Sequence, residues 1–218
     1  MTDSSNRNLL ALTAAACAAL VTLQVIGLYW PAAVAKLVAS SGFVAVALKS
    51  GAWRSRYGKL VLAGLALSWW GDMFLIGASR QAFLAGLSAF LLAHVAYLLA
   101  FAAHGFNRNW VVTAALPVTA IAAAVFTWLG PHTPAALVVP VRAYIVVISL
   151  MVIFAFGTRG RGGSALIPLG ATLFFLSDLS VAALRIVQTD VATYVVGLPF
   201  YYAGQLCLAL SVSQSRSQ

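Results

Sequence analysis

The sequence predicts an all-α membrane protein: eight transmembrane helices, both termini cytoplasmic, residues 1–218 forming one polytopic membrane domain. Three observations carry this. Of the 218 residues, 62% are hydrophobic and 8% charged, and mean hydropathy is +0.97. Soluble domains carry about 25% charged residues and have no interior for so much apolar surface. The apolar residues fall into eight runs, and the basic residues fall between those runs.

The runs are Leu9–Tyr29, Ala32–Leu48, Leu60–Ile76, Phe83–Ala103, Trp110–Leu129, Ala135–Phe156, Ala165–Leu184 and Val191–Val212. Each is close to the roughly 17–25 residues that a tilted helix needs to cross the hydrocarbon. Helices are required because lipid offers backbone amides no partners. Abundant Ala and Gly suit close helix packing. The first two runs are separated only by Trp30-Pro31, where Pro31 fits the first turn of a new helix. No cleavable signal peptide is expected.

Loop charge predicts the orientation. Arg7, Lys49, Arg54, Arg56, Lys59, Arg108, Arg159, Arg161 and Arg216 fall on the side of the N-terminus, and only Arg80 and Arg185 on the other. That asymmetry is the positive-inside pattern, and it places the chain as a multi-pass protein of the cell (inner) membrane. The formal charge of +9 therefore reports topology, and no nucleic-acid partner is expected. Cys17 and Cys207 lie inside apolar runs, with no disulfide or metal spacing.

Four residues are acidic, Asp3, Asp72, Asp178 and Asp190, and two of them sit deep in apolar runs. A carboxylate at mid-membrane depth costs about 2.5–3.5 kcal/mol on insertion scales, so Asp72 and Asp178 are functional candidates. Counted from Leu60 and Ala165, both lie roughly 18–20 Å from the cytoplasmic end at 1.5 Å per residue. Lys36, His94, Tyr144, Tyr201, Tyr202 and Gln205 fall in the same layer. His94 and Tyr97 share a helical face with Phe83, Gly86, Phe90 and Phe101. Arg142 falls inside the sixth run. The purely structural alternative pairs Lys36 with Asp72 and Arg142 with Asp178. A shift of 106 residues overlays Asp72 on Asp178, Gly64 on Gly170, Lys36 on Arg142 and Trp69 on Phe175. That offset would make the halves parallel four-helix repeats, a transporter-like construction.

The ordered set Ser68-x-x-Gly71-Asp72, Phe83-x-x-Gly86-x3-Phe90-x3-His94-x-x-Tyr97, Tyr144, Met151, Gly170-Ala171-x-x-Phe174-x-x-Ser177-Asp178 and Tyr201-Tyr202-x-x-Gln205 resembles the YhhN-type lysoplasmalogenases. The resemblance covers the second to eighth runs. Lys36 is followed by Leu37, where that family often has Lys-Pro. The resemblance implies eight spans, a lysophospholipid substrate drawn from the bilayer, and hydrolysis of its vinyl ether to a fatty aldehyde and a glycerophospho-headgroup.

A vinyl ether is stable to base and labile to acid. Protonating its carbon makes an oxocarbenium ion, to which water adds. Glycosidases meet a related cation with two carboxyls. An unperturbed Asp titrates near 3.9, so a resident acid needs burial or a like-charged neighbour sharing its proton. Asp72 and Asp178 are the expected catalytic pair. Which is acid stays open, with Asp178 preferred as base. Ser68, His94, Tyr97, Tyr144, Ser177, Tyr201, Tyr202 and Gln205 are expected at the substrate, and Lys36 and Arg142 at its phosphate. Trp69, Trp70 and Phe174 are expected along the acyl chain. No cofactor or metal is expected, since His94, His104 and His132 make a poor ligand set, so activity should survive EDTA. The alternative is a small-solute or proton-coupled membrane transporter, which the repeat and the intramembrane charges would also suit.

Overall fold

The computed structural model describes residues 4–214. Asp3 and Arg216 lie outside them. Eight long helices run as α1 (Ser4–Val25), α2 (Tyr29–Lys49), α3 (Arg56–Phe74), α4 (Arg80–His104), α5 (Arg108–Leu129), α6 (Val138–Gly157), α7 (Leu166–Ala182) and α8 (Tyr194–Gln214). Among the described residues, seven are long and apolar enough to cross a membrane. The other is α3, whose mean hydropathy is lowered by Arg56, Lys59 and Asp72.

Local chemistry sets the helix ends. Ser55, Ser79 and Asn107 cap α3, α4 and α5, accepting from the backbone N–H of Gly58 (2.9 Å), Ala82 (3.1 Å) and Asn109 (2.9 Å). Gly27, at φ +76°, turns the chain between α1 and α2, so α1 stops short of the expected Tyr29. Pro31 sits in the first turn of α2, where its missing N–H is harmless. Beyond Ala182 the chain winds on as a π-helical turn, Ala183–Val187, which ends at Gln188 in the left-handed region.

Consecutive helices pack as hairpins: α1 on α2, α3 on α4, α5 on α6, α7 on α8. The hairpins join through α2·α3, α6·α7, α2·α8 and α4·α6. Adding four to each helix number, cyclically, maps this set onto itself. The pattern of helix neighbours thus largely repeats after four helices, as parallel repeats require. The contacts of α8 with α1 and α3 have no equally extensive counterpart and break the symmetry.

Small residues allow the closest approaches. A Cβ on Gly170 would stand 2.8 Å from the Gly204 carbonyl oxygen, and one on Gly204 would stand 2.9 Å from that of Gly170. Bare backbone therefore meets bare backbone between α7 and α8. Gly64 does the same work for α3, since a Cβ there would lie 2.5 Å from the Tyr97 ring. Tyr97, Phe43, Phe101 and Phe174 fill the centre.

The two ends of the bundle differ. At one, Arg161 Nε reaches Phe106 O (3.5 Å), Ser164 bonds Gln214, and Tyr57 bonds Ser211 (2.6 Å). The basic loops gather there. At the other, Tyr29 bonds the carbonyl of Ile76, and Thr193 Oγ1 donates to Ser180 O (2.6 Å).

Candidate active site

Asp72 stands in the last turn of α3, nearer the helix end than counting from Leu60 suggested, because the helix stops at Phe74. Its side chain is 3% exposed. Ser40 Oγ and Tyr201 OH both donate to Oδ2 at 2.7 Å, and Lys36 Nζ lies 3.5 Å from Oδ1. Ser40 is one turn from Lys36 on α2, so one face of that helix supplies both. Ser40 is in turn bonded to Tyr202 OH at 3.2 Å. The expected Lys36–Asp72 pair is present, and Ser40, in an Ala-rich segment, was not foreseen.

Asp178 has other company. Tyr144 OH donates to Oδ2 at 2.9 Å, and His94 Nε2 lies 3.3 Å from the same oxygen. Its side chain is 17% exposed, while His94 is fully buried. His94 Nδ1 lies 2.6 Å from the Phe90 carbonyl, which can only accept, so Nδ1 carries a hydrogen. Nε2 is buried with no well-aligned hydrogen bond. If Nε2 and Oδ2 were both bare, two lone pairs would face each other. A proton placed between them would let the pair close as imidazolium and carboxylate or as imidazole and carboxylic acid.

The two acids share no partner, so the expected proton-sharing dyad is not what surrounds them. They do line one apolar cavity of about 120 Å³, with Tyr144, Ser177, Tyr201 and Lys36. Its apolar wall includes Phe83, Leu87, Phe90, Leu129, Ile145 and Ile148. A larger, more polar cavity of about 440 Å³ opens beyond it, away from the basic loops, with Gln24, Tyr29, Ile76, Arg185 and Tyr194 at its edge. Lys36, Ser177, Val181 and Arg185 line both, so the two adjoin.

Several expected substrate contacts lie elsewhere. Tyr97 OH donates to Gln205 Oε1 (2.7 Å), and Gln205 Nε2 donates to Ser68 Oγ (3.1 Å). This buried chain ties α4, α8 and α3 together one turn below Asp72, and none of the three lines either cavity. Tyr202 and His94 likewise stand behind the acids. Arg142 is exposed on the face of α6 toward α5, with its guanidinium carbon 4.9 Å from the Phe126 ring centre. It meets neither Asp178 nor the main cavity. Arg185, which entered the sequence reading only as a loop charge on the side opposite the N-terminus, lines both chambers. Trp69 and Trp70 stack edge-on at 5.1 Å on the outer side of α3, and Phe174 packs under His94 at 4.4 Å, so none of them lines the cavity.

A family model described as the YhhN family matches residues 31–212. The chain is 36% identical to lysoplasmalogenase TMEM86B of Sus scrofa over 62% of its own length and 56% of that protein. It is 27% identical to lysoplasmalogenase TMEM86A of Bos taurus over 72% and 66% respectively. It is 32% identical to lysoplasmalogenase TMEM86B of Homo sapiens over 86% and 78%. The match thus spans little more than half of the pig protein. No solved structure matches. The chain, a multi-pass helical membrane protein, belongs to the YhhN family.

Proposed function

We propose that the protein hydrolyses the vinyl ether of lysoplasmalogen-like lysophospholipids, with the chain held in the apolar cavity and the headgroup in the larger, more polar one. The observation that carries this reading is the pair His94–Asp178. It sets an imidazole nitrogen 3.3 Å from a carboxyl that is partly open to an apolar chamber, an arrangement able to hold a transferable proton there. The names of the relatives support the substrate class.

In this mechanism Asp178 is the acid, the reverse of the preference drawn from sequence. Its proton goes to the vinyl carbon remote from oxygen, and the C=C electrons form the new C–H bond. The positive charge that develops on the carbon next to oxygen faces Asp72. Asp72 is kept as an anion by the Lys36 ammonium and by two hydroxyl donors, Ser40 and Tyr201. Water attacks the cationic carbon and gives a proton to the Asp178 carboxylate. That proton then passes to the glycerol oxygen as the hemiacetal C–O bond breaks, and the hydroxyl proton lost in forming the aldehyde returns to Asp178. His94 does not touch the substrate; it positions Asp178 and keeps the proton with it. We place the protein in the cell (inner) membrane with both termini inside and the wide cavity facing outward, following loop charge.

The test is purified protein in detergent with a vinyl-ether lysophospholipid and an aldehyde readout. Stoichiometric aldehyde and glycerophospho-headgroup are expected; none at any enzyme concentration overturns the reading. The near two-fold packing also suits a carrier. A carrier would be active only in sealed vesicles, whereas detergent leaves no compartments.

A further inference from the structure

We infer that Arg185 and Lys36 together seat the phosphate of a lysophospholipid headgroup in the outer cavity, and that α7 acts as a ruler between phosphate and vinyl ether. The inference rests on the function proposed above and adds the residue that selects the headgroup.

Arg185 has no carboxylate partner among the described residues, whose two close acid–base pairs are Lys36–Asp72 and His94–Asp178. It lines the outer cavity and the apolar one that adjoins it. Lys36 lines both as well, so two cations border the space where the chambers meet. A third group supports a ligand there. Gln24 lines the outer cavity, and its Oε1 is buried with no hydrogen-bond partner. The ammonium and the guanidinium suit an oxyanion, and the amide oxygen can accept from the glycerol hydroxyl beside it. The guanidinium fork fits a phosphate in two places at once.

The spacing along α7 fits the same ligand. Asp178 in α7 and Arg185 in the π turn that continues it are seven residues apart, and both line the apolar cavity. The axial separation is about 10 Å at 1.5 Å per residue. In a lysoplasmalogen, seven bonds separate the protonated vinyl carbon from phosphorus. An extended chain covers roughly 3.5 Å per three bonds, so this span is about 8 Å. With the vinyl carbon at Asp178, the phosphate falls within the reach of the Arg185 side chain. The π-helical turn Ala183–Val187 changes the rotation of this last stretch relative to an α-helix. It is pinned by Thr189 N donating to Ala183 O at 3.2 Å. Single π turns recur at functional sites.

The experiment compares Arg185→Gln with the parent in detergent on two substrates: a vinyl-ether lysophospholipid and the corresponding alkenylglycerol, which lacks phosphate. The preference for the first over the second, as a ratio of kcat/KM, is expected to fall roughly tenfold in the variant. Arg185→Lys should keep an intermediate preference, since it restores charge without the fork. An unchanged ratio overturns the inference. A second measurement does not depend on hydrolysis: calorimetric binding of an ester lysophospholipid against a monoacylglycerol. Tighter binding of the phosphate-bearing lipid, lost in Arg185→Gln, is expected even if no aldehyde is ever released. Equal binding of both by the parent overturns the seat while leaving the ether chemistry standing. Competition by a diacyl phospholipid as strong as by the lysolipid would assign Arg185 to bulk bilayer phosphates and also overturn it.

Discussion

Asp72 on α3 is held by α2 and α8, through Lys36, Ser40 and Tyr201. Asp178 on α7 is held by α6 and α4, through Tyr144 and His94. Adding four to the first set of helix numbers gives the second, so the two acids occupy equivalent places in two similar halves. What surrounds them is not equivalent. A fixed cation and two hydroxyls meet Asp72, and the side chain is almost wholly buried. A titratable ring and one hydroxyl meet Asp178, which is open to the cavity. In the mechanism proposed above, the same scaffold position thus serves as a compensated anion in one half and as a proton donor in the other. An acid-catalysed reaction through a cation needs both.

The sharpest break of this comparison is asparagine at each acid. Asp178→Asn removes the transferable proton, and turnover should fall by about 10²–10⁴, the span typical of general acids. The protein should keep its parent melting temperature in detergent. Asp72→Asn should also be inactive, but it strands the Lys36 ammonium among apolar neighbours. Removing one partner of a buried pair costs about 3–5 kcal/mol, so the melting temperature should drop as well. Adding Lys36→Met to Asp72→Asn should restore stability without restoring activity. If the two single variants melt alike, the contrast between anchored anion and mobile proton is wrong.

His94→Gln is expected to be milder. Glutamine keeps a polar group near Asp178 but holds no exchangeable proton at that position. Turnover should fall about 10²-fold with the Michaelis constant unchanged, because His94 stands behind Asp178 and not at the substrate. A rise in the Michaelis constant with turnover intact would instead make His94 a binding or packing residue.

How much of this could be read from sequence depended on what lipid does to pattern. Eight apolar runs and their charged punctuation gave the helices, to within a few residues at the ends. The two acids stood out because a carboxylate in hydrocarbon is expensive. Lys36 as the partner of Asp72 followed from depth. Depth is a coordinate along the helix, however, and the face around it was hidden. A soluble helix shows its inner face as an apolar stripe. Here α6 and α7 are apolar all round, since lipid and protein interior are both apolar. So Ser40 looked like any small residue, and Tyr97, Gln205 and Ser68 looked like site residues when they form a cross-brace below the site. The π turn that carries Arg185 toward the cavity has no signature in the sequence at all.

Arg142 is the clearest case of that hidden coordinate, and it carries the smallest expected effect. Its depth and its overlay on Lys36 by the 106-residue shift suggested a phosphate ligand or a partner for Asp178. It instead faces α5, where its guanidinium lies 4.9 Å from the Phe126 ring centre. An exposed cation–π contact is worth about 0.5–1 kcal/mol, so Arg142→Gln should lower the melting temperature only slightly. It should leave the preference for lysophospholipid over alkenylglycerol at the parent value. Arg185→Gln, at a residue with no site role predicted from sequence, should move that same ratio. Were the two arginines to swap behaviour, the two-fold correspondence would extend to the cations as well as the acids, and Arg142 rather than Arg185 would belong to the headgroup.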